Sequence, residues 1–571
     1  MFSFFKYQLK TEFTLKKVSI LIFIWAVFIF FLNLQINFAD EYDVAIFWLS
    51  ILIMIGIVVY QIFFLKNNSF VLIEIFIIYL SLHLTFQVGF YGLGESDSYI
   101  DYNFFKTILN DHNFILGQDV TGWHVDGWPM IHIFSSSLSL ITKIDPLLIA
   151  KFLPSFISSI IVIPLYLLVK NIFKDKKVAL FSCLIFSTIP QFMIFEGLFV
   201  REIFAFFIMI LFFNILYISR RRSIYSFTFL SIILIPVIVL SHHFTSFMII
   251  ILLGIYLGVS IIIPYLYHKD VNILNRLSGK INIKIIFLII SVSAISYWIF
   301  QAVFIMDFPY IIFSELVGLE ETTPYATQYL NLGAPIVTLK GNIVYYGFFF
   351  FHGLFALILL IKLIIRKNIQ KIEDTSFTMF FFFCMVFGYL SLYILGSFIF
   401  PDRYLPFAWI FGIIPLTGFL LILKKDFFKK ILTLLLISFI VFNLYNIDSD
   451  YYTGNASLTS VVATEKEYLI AEQINFTEEY HGYVGAVGAI YDVQGIEQRT
   501  KGKSLNEIRD FYNFSTMAVI NDDIYLSEIN NLKEKSQENY LKAIEILSYK
   551  NYTGIDKIYD LGNIYVLKGN R

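Results

Sequence analysis

The run VAIFWLSILIMIGIVVYQIFFL, residues 44–65, carries no charged side chain over 22 positions. A helix rises about 1.5 Å per residue, so about 20 apolar residues cross a hydrocarbon core of roughly 30 Å with every backbone N–H and C=O bonded inside the segment. Runs of this kind recur along most of the first 447 residues. That repetition leaves one fold class open, a polytopic α-helical membrane protein. Composition agrees, since 15% of residues are charged against roughly 25% in a soluble domain.

Thirteen candidate spans are read, at 18–37, 44–65, 70–90, 146–169, 178–194, 200–218, 224–241, 244–266, 285–305, 341–365, 376–399, 404–423 and 431–447. The N-terminal FSFFKYQLKTEFTLKK is too long and charged for a cleavable leader, so the first span is expected to be retained. Cationic clusters fall in alternate connections: Lys6, Lys10, Lys16 and Lys17; Lys66; Lys170, Lys174, Lys176 and Lys177; Arg220, Arg221 and Arg222; Lys269, Arg276, Lys280 and Lys284; Lys362, Arg366, Lys367 and Lys371; Lys424, Lys425, Lys429 and Lys430. The positive-inside rule assigns these to the cytoplasm, together with the N-terminus. The other connections then face outside: residues 39–43, a large loop at 91–145, short joins near 195–200, 242–243 and 401–403, and a second large loop at 306–340. An odd number of spans puts the segment after Asp448 outside as well.

Three domains follow: a two-span extension at 1–69, a transmembrane domain at 70–447, and an external domain at 448–571. The last changes character. Strand-length apolar runs, GYVGAVGAIYDV, TMAVIND and GNIYVLK, alternate with helical patterns such as EKEYLIAEQI and LKEKSQENYLKAIEILSY, which reads as a small α/β domain. Four Asn-x-Ser/Thr triplets, at Asn455, Asn475, Asn513 and Asn551, lie there; such triplets also arise by chance in an Asn-rich sequence. Cys183 and Cys384 each sit inside an apolar run, so neither a disulfide framework nor a thiolate metal site is expected. A net charge of −1 argues against nucleic acid as a partner.

The loop at 91–145 holds the chemistry. Glu95, Asp97, Asp101, Asp111, Asp119 and Asp126 stand there with Lys106 and Lys143, and a connection longer than about 12–15 residues usually has a function or is disordered. Its aromatic residues and Gly-Trp-Pro turn favour a loop folded back on the membrane surface. Glu95 and Asp97 follow a span directly, where a partly desolvated carboxylate can act as general base or metal ligand; a solvated acidic face is the alternative. Asp101 stands one turn beyond Asp97 if the stretch is helical, sharing the site or packing the loop. Trp123, His124, Trp128 and His132 supply surface for stacking on sugars or for seating among headgroups.

Other polar groups stand at external span ends. His242 and His243, between two spans, could take a phosphate or a metal, or make interfacial hydrogen bonds. Arg201 with Glu202, and Asp402 with Arg403, are charges against the membrane, reading either as functional groups or as ion pairs inside the bundle. Glu315, Glu320, Glu321, Tyr325 and Tyr329 mark the second large loop as a possible substrate lid. Glu74, His83 and Gln87 share spacings that place them on one face of the third span, turned into the bundle.

Taken in order, GESDSY, DPLLIAKFLPSFISSIIVIPLYLLVKNIF, EGLFVRE, SHHFTSF and PDRYLPF resemble the membrane glycosyltransferases of the GT-C fold. Over roughly residues 70–425 they resemble especially the prokaryotic relatives of the dolichyl-phosphate-mannose protein mannosyltransferases, the PMT/ArnT-like proteins. The resemblance implies a polyprenyl-phosphate-linked sugar donor and an external protein, glycan or lipid acceptor. It implies Asp97 as catalytic base with Glu95 as partner or alternative, and Arg403, then Arg201, on the donor phosphate. His242, His243, Glu202, Asp101 and His132 are auxiliary positions. A divalent cation, Mg or Mn, would draw on Glu95, Asp97 and His243. The chain departs from the pattern in having two spans before the one that leads into the acidic loop. Oligosaccharyltransferase catalytic subunits also combine 13 spans with an external C-terminal domain, but no WWDYG stretch occurs, so that reading is an alternative. A transporter or flippase would show internal repeats or paired broken helices, which the sequence lacks; an assembly subunit would tolerate loss of Asp97.

Overall fold

The computed structural model describes residues 2–36, 44–65, 70–88, 93, 96–112, 127–189, 197–222, 225–266, 283–301, 386, 401–422, 426–447, 484–486, 517–521, 555–560 and 564–569. Glu95, the spans expected at 341–365 and 376–399, the loop at 306–340, the four C-terminal Asn-x-Ser/Thr triplets and the helical patterns of the C-terminal segment lie outside these residues.

The helices are α1 (Phe2–Ile36), α2 (Val44–Phe64), α3 (Val71–Val88), α4 (Ser96–Asp111), α5 (Met130–Thr142), α6 (Pro146–Ile160), α7 (Val162–Phe173), α8 (Lys176–Phe186), α9 (Arg201–Arg222), α10 (Tyr225–Ser241), α11 (His243–Leu266), α12 (Ile283–Gln301), α13 (Pro401–Ile422) and α14 (Asp426–Ile447). Eleven of the thirteen expected spans coincide with these helices in whole or in part. Among the described residues, five stretches are long and apolar enough to cross a membrane: Thr14–Asn33, Ile46–Phe64, Pro146–Phe173, Arg201–Ser219 and Ile283–Gln301. Along α12, Ile285, Leu288, Val292, Ile295 and Ile299 are exposed while Ile286, Ile290, Ala294 and Trp298 are buried. Exposed residues at that spacing form an apolar stripe suited to lipid.

Two spans differ from expectation. The stretch 146–169 breaks at Ile161, whose N–H reaches back only to the Ser158 carbonyl, at 3.1 Å. Pro164 lacks the N–H that would bond to the Ile160 carbonyl, so the helix restarts as α7. The span expected at 178–194 is α8, 11 residues long, or about 16 Å by helical rise and short of a hydrocarbon core. Asp175 caps its start by accepting from the N–H groups of Lys177 and Val178 at 2.8 and 3.0 Å. At its end the Ser187 and Thr188 hydroxyls donate to the carbonyls of Leu184 and Ile185, and Pro190 follows, whose ring disfavours helix at Ile189.

The chain forms two compact units. The first comprises Met1–Thr85, Ser155–Gly197 and Arg201–Gly454. In it α1 packs on α2, α2 and α7 on α8, α9 on α7, α10 and α11, α12 on α10 and α11, and α13 on α8 and α14. The N-terminal pair of helices is tied in by polar bonds: Gln61 Nε2 donates to Glu74 Oε1 on α3 at 3.0 Å, and Lys177 Nζ donates to the Phe63 carbonyl at 3.0 Å. Glu74 and His83 are both buried, but nine residues apart they stand about 180° from each other around α3, so they do not share the one helix face expected from sequence.

The second unit comprises Phe86–Pro154, Leu198–Val200 and Asn455–Arg571. Its sheet has the order β1-β2-β4-β3, with β1 (Val484–Ala486), β2 (Met517–Asn521), β3 (Ile555–Asp560) and β4 (Ile564–Gly569). β1 and β2 are parallel, and the other two pairings are antiparallel. β1 and β2 fall within the apolar runs read from sequence, and β4 does so up to its last residue, Gly569. β3, IDKIYD, does not, because the register with β4 shifts between Lys557 and Tyr559 and the apolar-polar alternation is broken there.

Candidate functional site

The loop at 91–145 contains two helices. α4 places Asp97 in its first turn and Asp101 one turn later, as the helical reading of this stretch requires. His132 is the third residue of α5. His132 Nε2–H donates to Asp101 Oδ1 at 2.9 Å, and the two residues are 0% and 1% exposed. Farther along, the Ser136 hydroxyl donates to the Phe105 carbonyl at 3.4 Å. Both contacts join residues 31 positions apart, 101 to 132 and 105 to 136, so α4 and α5 run parallel and in constant register. Their C-terminal ends border one depression of about 640 Å³, lined by Asn110, His112, Ser139 and Lys143 among others. Aromatic rings close around the pair: Phe104 lies edge-on to His132 at 4.8 Å, and Phe199 lies 6.4 Å from His132 and 5.8 Å from Phe105. Trp128, 1% exposed, is buried as well. Trp128 and His132 therefore pack inside the unit instead of offering the open aromatic surface expected from sequence.

In the first unit, three helices start at one place. Phe206 of α9 packs on Phe407 of α13 at 4.8 Å, and Phe213 packs on Phe411 at 5.6 Å. Numbers rise together on both helices, so α9 and α13 are parallel. Phe244, in the first turn of α11, packs on the same Phe407 ring at 5.7 Å. α10 returns antiparallel to α9 across two residues, and α11 returns again after His242, which restores the direction of α9. Arg201 stands five residues before Phe206 and Arg403 four before Phe407. By helical rise these are about 7.5 and 6 Å toward the same end. Arg201, His243 and Arg403 thus occupy the first turns of three co-directed helices. The positive ends of three helix dipoles gather there, which favours an anion.

The turn ahead of α11 is held by its own side chains. Ser246 N–H bonds to the His242 carbonyl at 3.1 Å, and the Ser246 hydroxyl donates to the Ile238 carbonyl at 3.0 Å. His242 Nδ1 lies 3.0 Å from Thr245 Oγ1, and the His242 and His243 rings are 4.8 Å apart. His242 is buried, as is Glu202, while Arg201 is partly exposed. Among the described residues no three His, Cys, Asp or Glu side chains group to hold a metal. What sequence reasoning missed is the Phe206–Phe407–Phe244 clasp, since phenylalanines inside apolar runs carry no mark of which neighbour they meet.

No protein-family model matches the chain, and no curated protein matches it. Its structure is similar to that of the Archaeoglobus fulgidus oligosaccharyltransferase in complex with Zn and sulfate, with 14% identity over 86% of this chain and 72% of that one, TM-score 0.46. It is similar to the archaeal oligosaccharyltransferase AglB from Archaeoglobus fulgidus in complex with an inhibitory peptide and a dolichol-phosphate, with 13% identity over 87% and 74%, TM-score 0.49. It is also similar to ArnT from Cupriavidus metallidurans bound to undecaprenyl phosphate, with 11% identity over 88% and 98%, TM-score 0.47. At such identities and scores, the functional assignment rests on this chain's own residues.

Proposed function

We propose that the protein is a multi-pass glycosyltransferase of the cell membrane that transfers a sugar from a polyprenyl-phosphate carrier to a protein, glycan or lipid acceptor at the outer face. The observation that carries this reading is the gathering of Arg201, His243 and Arg403 in the first turns of three parallel helices, clasped by Phe407. All three helices are followed by basic residues at their far ends: Arg220–Arg222, Lys269, and Lys424 with Lys425. Under the positive-inside rule, the gathered ends therefore face outside. With 13 spans, Asp97 and the segment after Asp448 lie on that same side.

In the proposed reaction Asp97 takes the proton of the acceptor hydroxyl as its oxygen bonds to the sugar's anomeric carbon. The anomeric carbon–phosphate oxygen bond breaks, and polyprenyl phosphate leaves with the electron pair. Negative charge grows on the leaving phosphate, and the Arg403 and Arg201 guanidiniums with the three helix N-termini stabilise it. A Mg or Mn ion, drawing on Glu95, Asp97 and His243, would add further positive charge when bound.

Asp97→Asn tests the base directly, because the amide keeps the shape and cannot accept the proton. Transfer of radiolabelled sugar from a synthetic polyprenyl-phosphate donor is expected to fall about 100- to 10,000-fold, with insertion and yield unchanged. If Asp97→Asn turns over normally and Glu95→Gln is inactive, the base is Glu95. Tolerance of both changes would falsify a role for the acidic pair.

A further inference from the structure

We propose that Asp101 and His132 form a positioning pair that sets where α4 presents Asp97. The inference rests on the reading of Asp97 as the base. Both side chains are buried, joined by a 2.9 Å hydrogen bond and walled by Phe104 and Phe199. Three residues from each on the same helices, the hydroxyls of Ser98 and Ser135, each 0% exposed, have no hydrogen-bond partner among the described residues. This seam is therefore more polar than stability asks for, since a buried ionisable pair is often replaceable by apolar side chains of similar volume without loss of stability.

What an apolar contact lacks is direction. An N–H···O bond fixes both the slide and the rotation of α4 against α5. A one-residue slip of α4 would move its backbone by about 1.5 Å and turn it by about 100°. Asp97 is one turn from Asp101 on the same helix, so such a slip would be passed directly to the base. A misplacement of about 1 Å is enough to cost about 100-fold in rate. His132 acts here through Asp101 and α4, which explains how a residue with no exposed surface can matter to turnover.

The experiment uses the full-length protein in nanodiscs. His132→Gln keeps an amide N–H able to reach the Asp101 carboxylate, whereas His132→Asn is too short to reach it. Asp101→Leu with His132→Leu fills the seam without a hydrogen bond. Expected are kcat within a few-fold of the parent for His132→Gln and about 100-fold lower for His132→Asn and the double leucine variant. KM for a polyprenyl-phosphate-linked sugar should be unchanged in all three. Equal kcat in the Gln and Asn variants, or parental kcat in the double leucine variant, overturns the inference. A second arm needs no transfer activity: in an Asp97→Cys background, the maleimide labelling rate at position 97 should match the parent in His132→Gln and differ several-fold in His132→Asn. Identical rates overturn the pairing role even if the parent transfers no sugar, an outcome that by itself would sink only the glycosyltransferase reading.

Discussion

Arg403 stands in the first turn of α13, in PDRYLPF, and its chemistry differs from that of a lysine at the same place. A guanidinium offers two parallel N–H donors to a phosphate, whereas an ammonium is a point charge. Asp402 beside it is the competing partner. Arg403→Ala is expected to weaken binding of a polyprenyl phosphate about 10- to 100-fold, the equivalent of about 1.5–3 kcal/mol for charge-assisted hydrogen bonds. Arg403→Lys should lose part of that affinity while thermal stability stays within error. Scintillation proximity binding with purified protein decides it: parental affinity in the alanine variant, or a stability loss without an affinity loss, would make the residue half of an internal ion pair.

Helix α13 does two things along its length, and they can be separated. Near its start, Phe407 is fully buried between Phe206 and Phe244. Phe407→Ala leaves a cavity where three helices meet, a loss of about 3–5 kcal/mol, and the scattered N-termini should bind donor phosphate more weakly as well. Farther on, Ser182 and Thr417 hydroxyls lie 2.6 Å apart, joining α8 to α13. The next residue, Gly418, sits so close to the Phe173 ring that an added Cβ would clash with it. Gly418→Val should therefore lower stability by about 1–3 kcal/mol through overpacking and leave donor affinity alone. Thermal unfolding and donor titration on the two variants check this: parental donor affinity in Phe407→Ala, despite its lost stability, would mean that the clasp does not shape the phosphate site.

Over the whole molecule, the proposed chemistry requires Asp97, Arg403 and the C-terminal segment on one side of the membrane. Single cysteines placed by Asp97→Cys, Arg403→Cys and Asp510→Cys should react with a membrane-impermeant maleimide in intact cells, and Arg221→Cys only after permeabilisation. Labelling at 97 from outside with 510 protected would require an odd number of spans between them, where the 13-span topology has ten, and would refute it.

Among the described residues, sequence alone determined where most apolar helices run, because the free energy of burying about 20 residues in hydrocarbon is a local property of those residues. It determined that Asp101 lies one turn from Asp97, because helical spacing is local too. It also marked β2 and β4 by their composition. Tertiary structure decided which partners each polar residue meets. The Asp101–His132 bond spans 31 residues, and the Phe206–Phe407 contact joins helices about 200 residues apart in sequence. Such pairings come from packing of whole helices, and no single stretch encodes them. The break at Ile161 and the early end of α8 lay between these limits: Pro164 and Pro190 are visible in sequence, but a proline in an apolar run does not say whether the helix kinks, restarts or stops until its neighbours are in place.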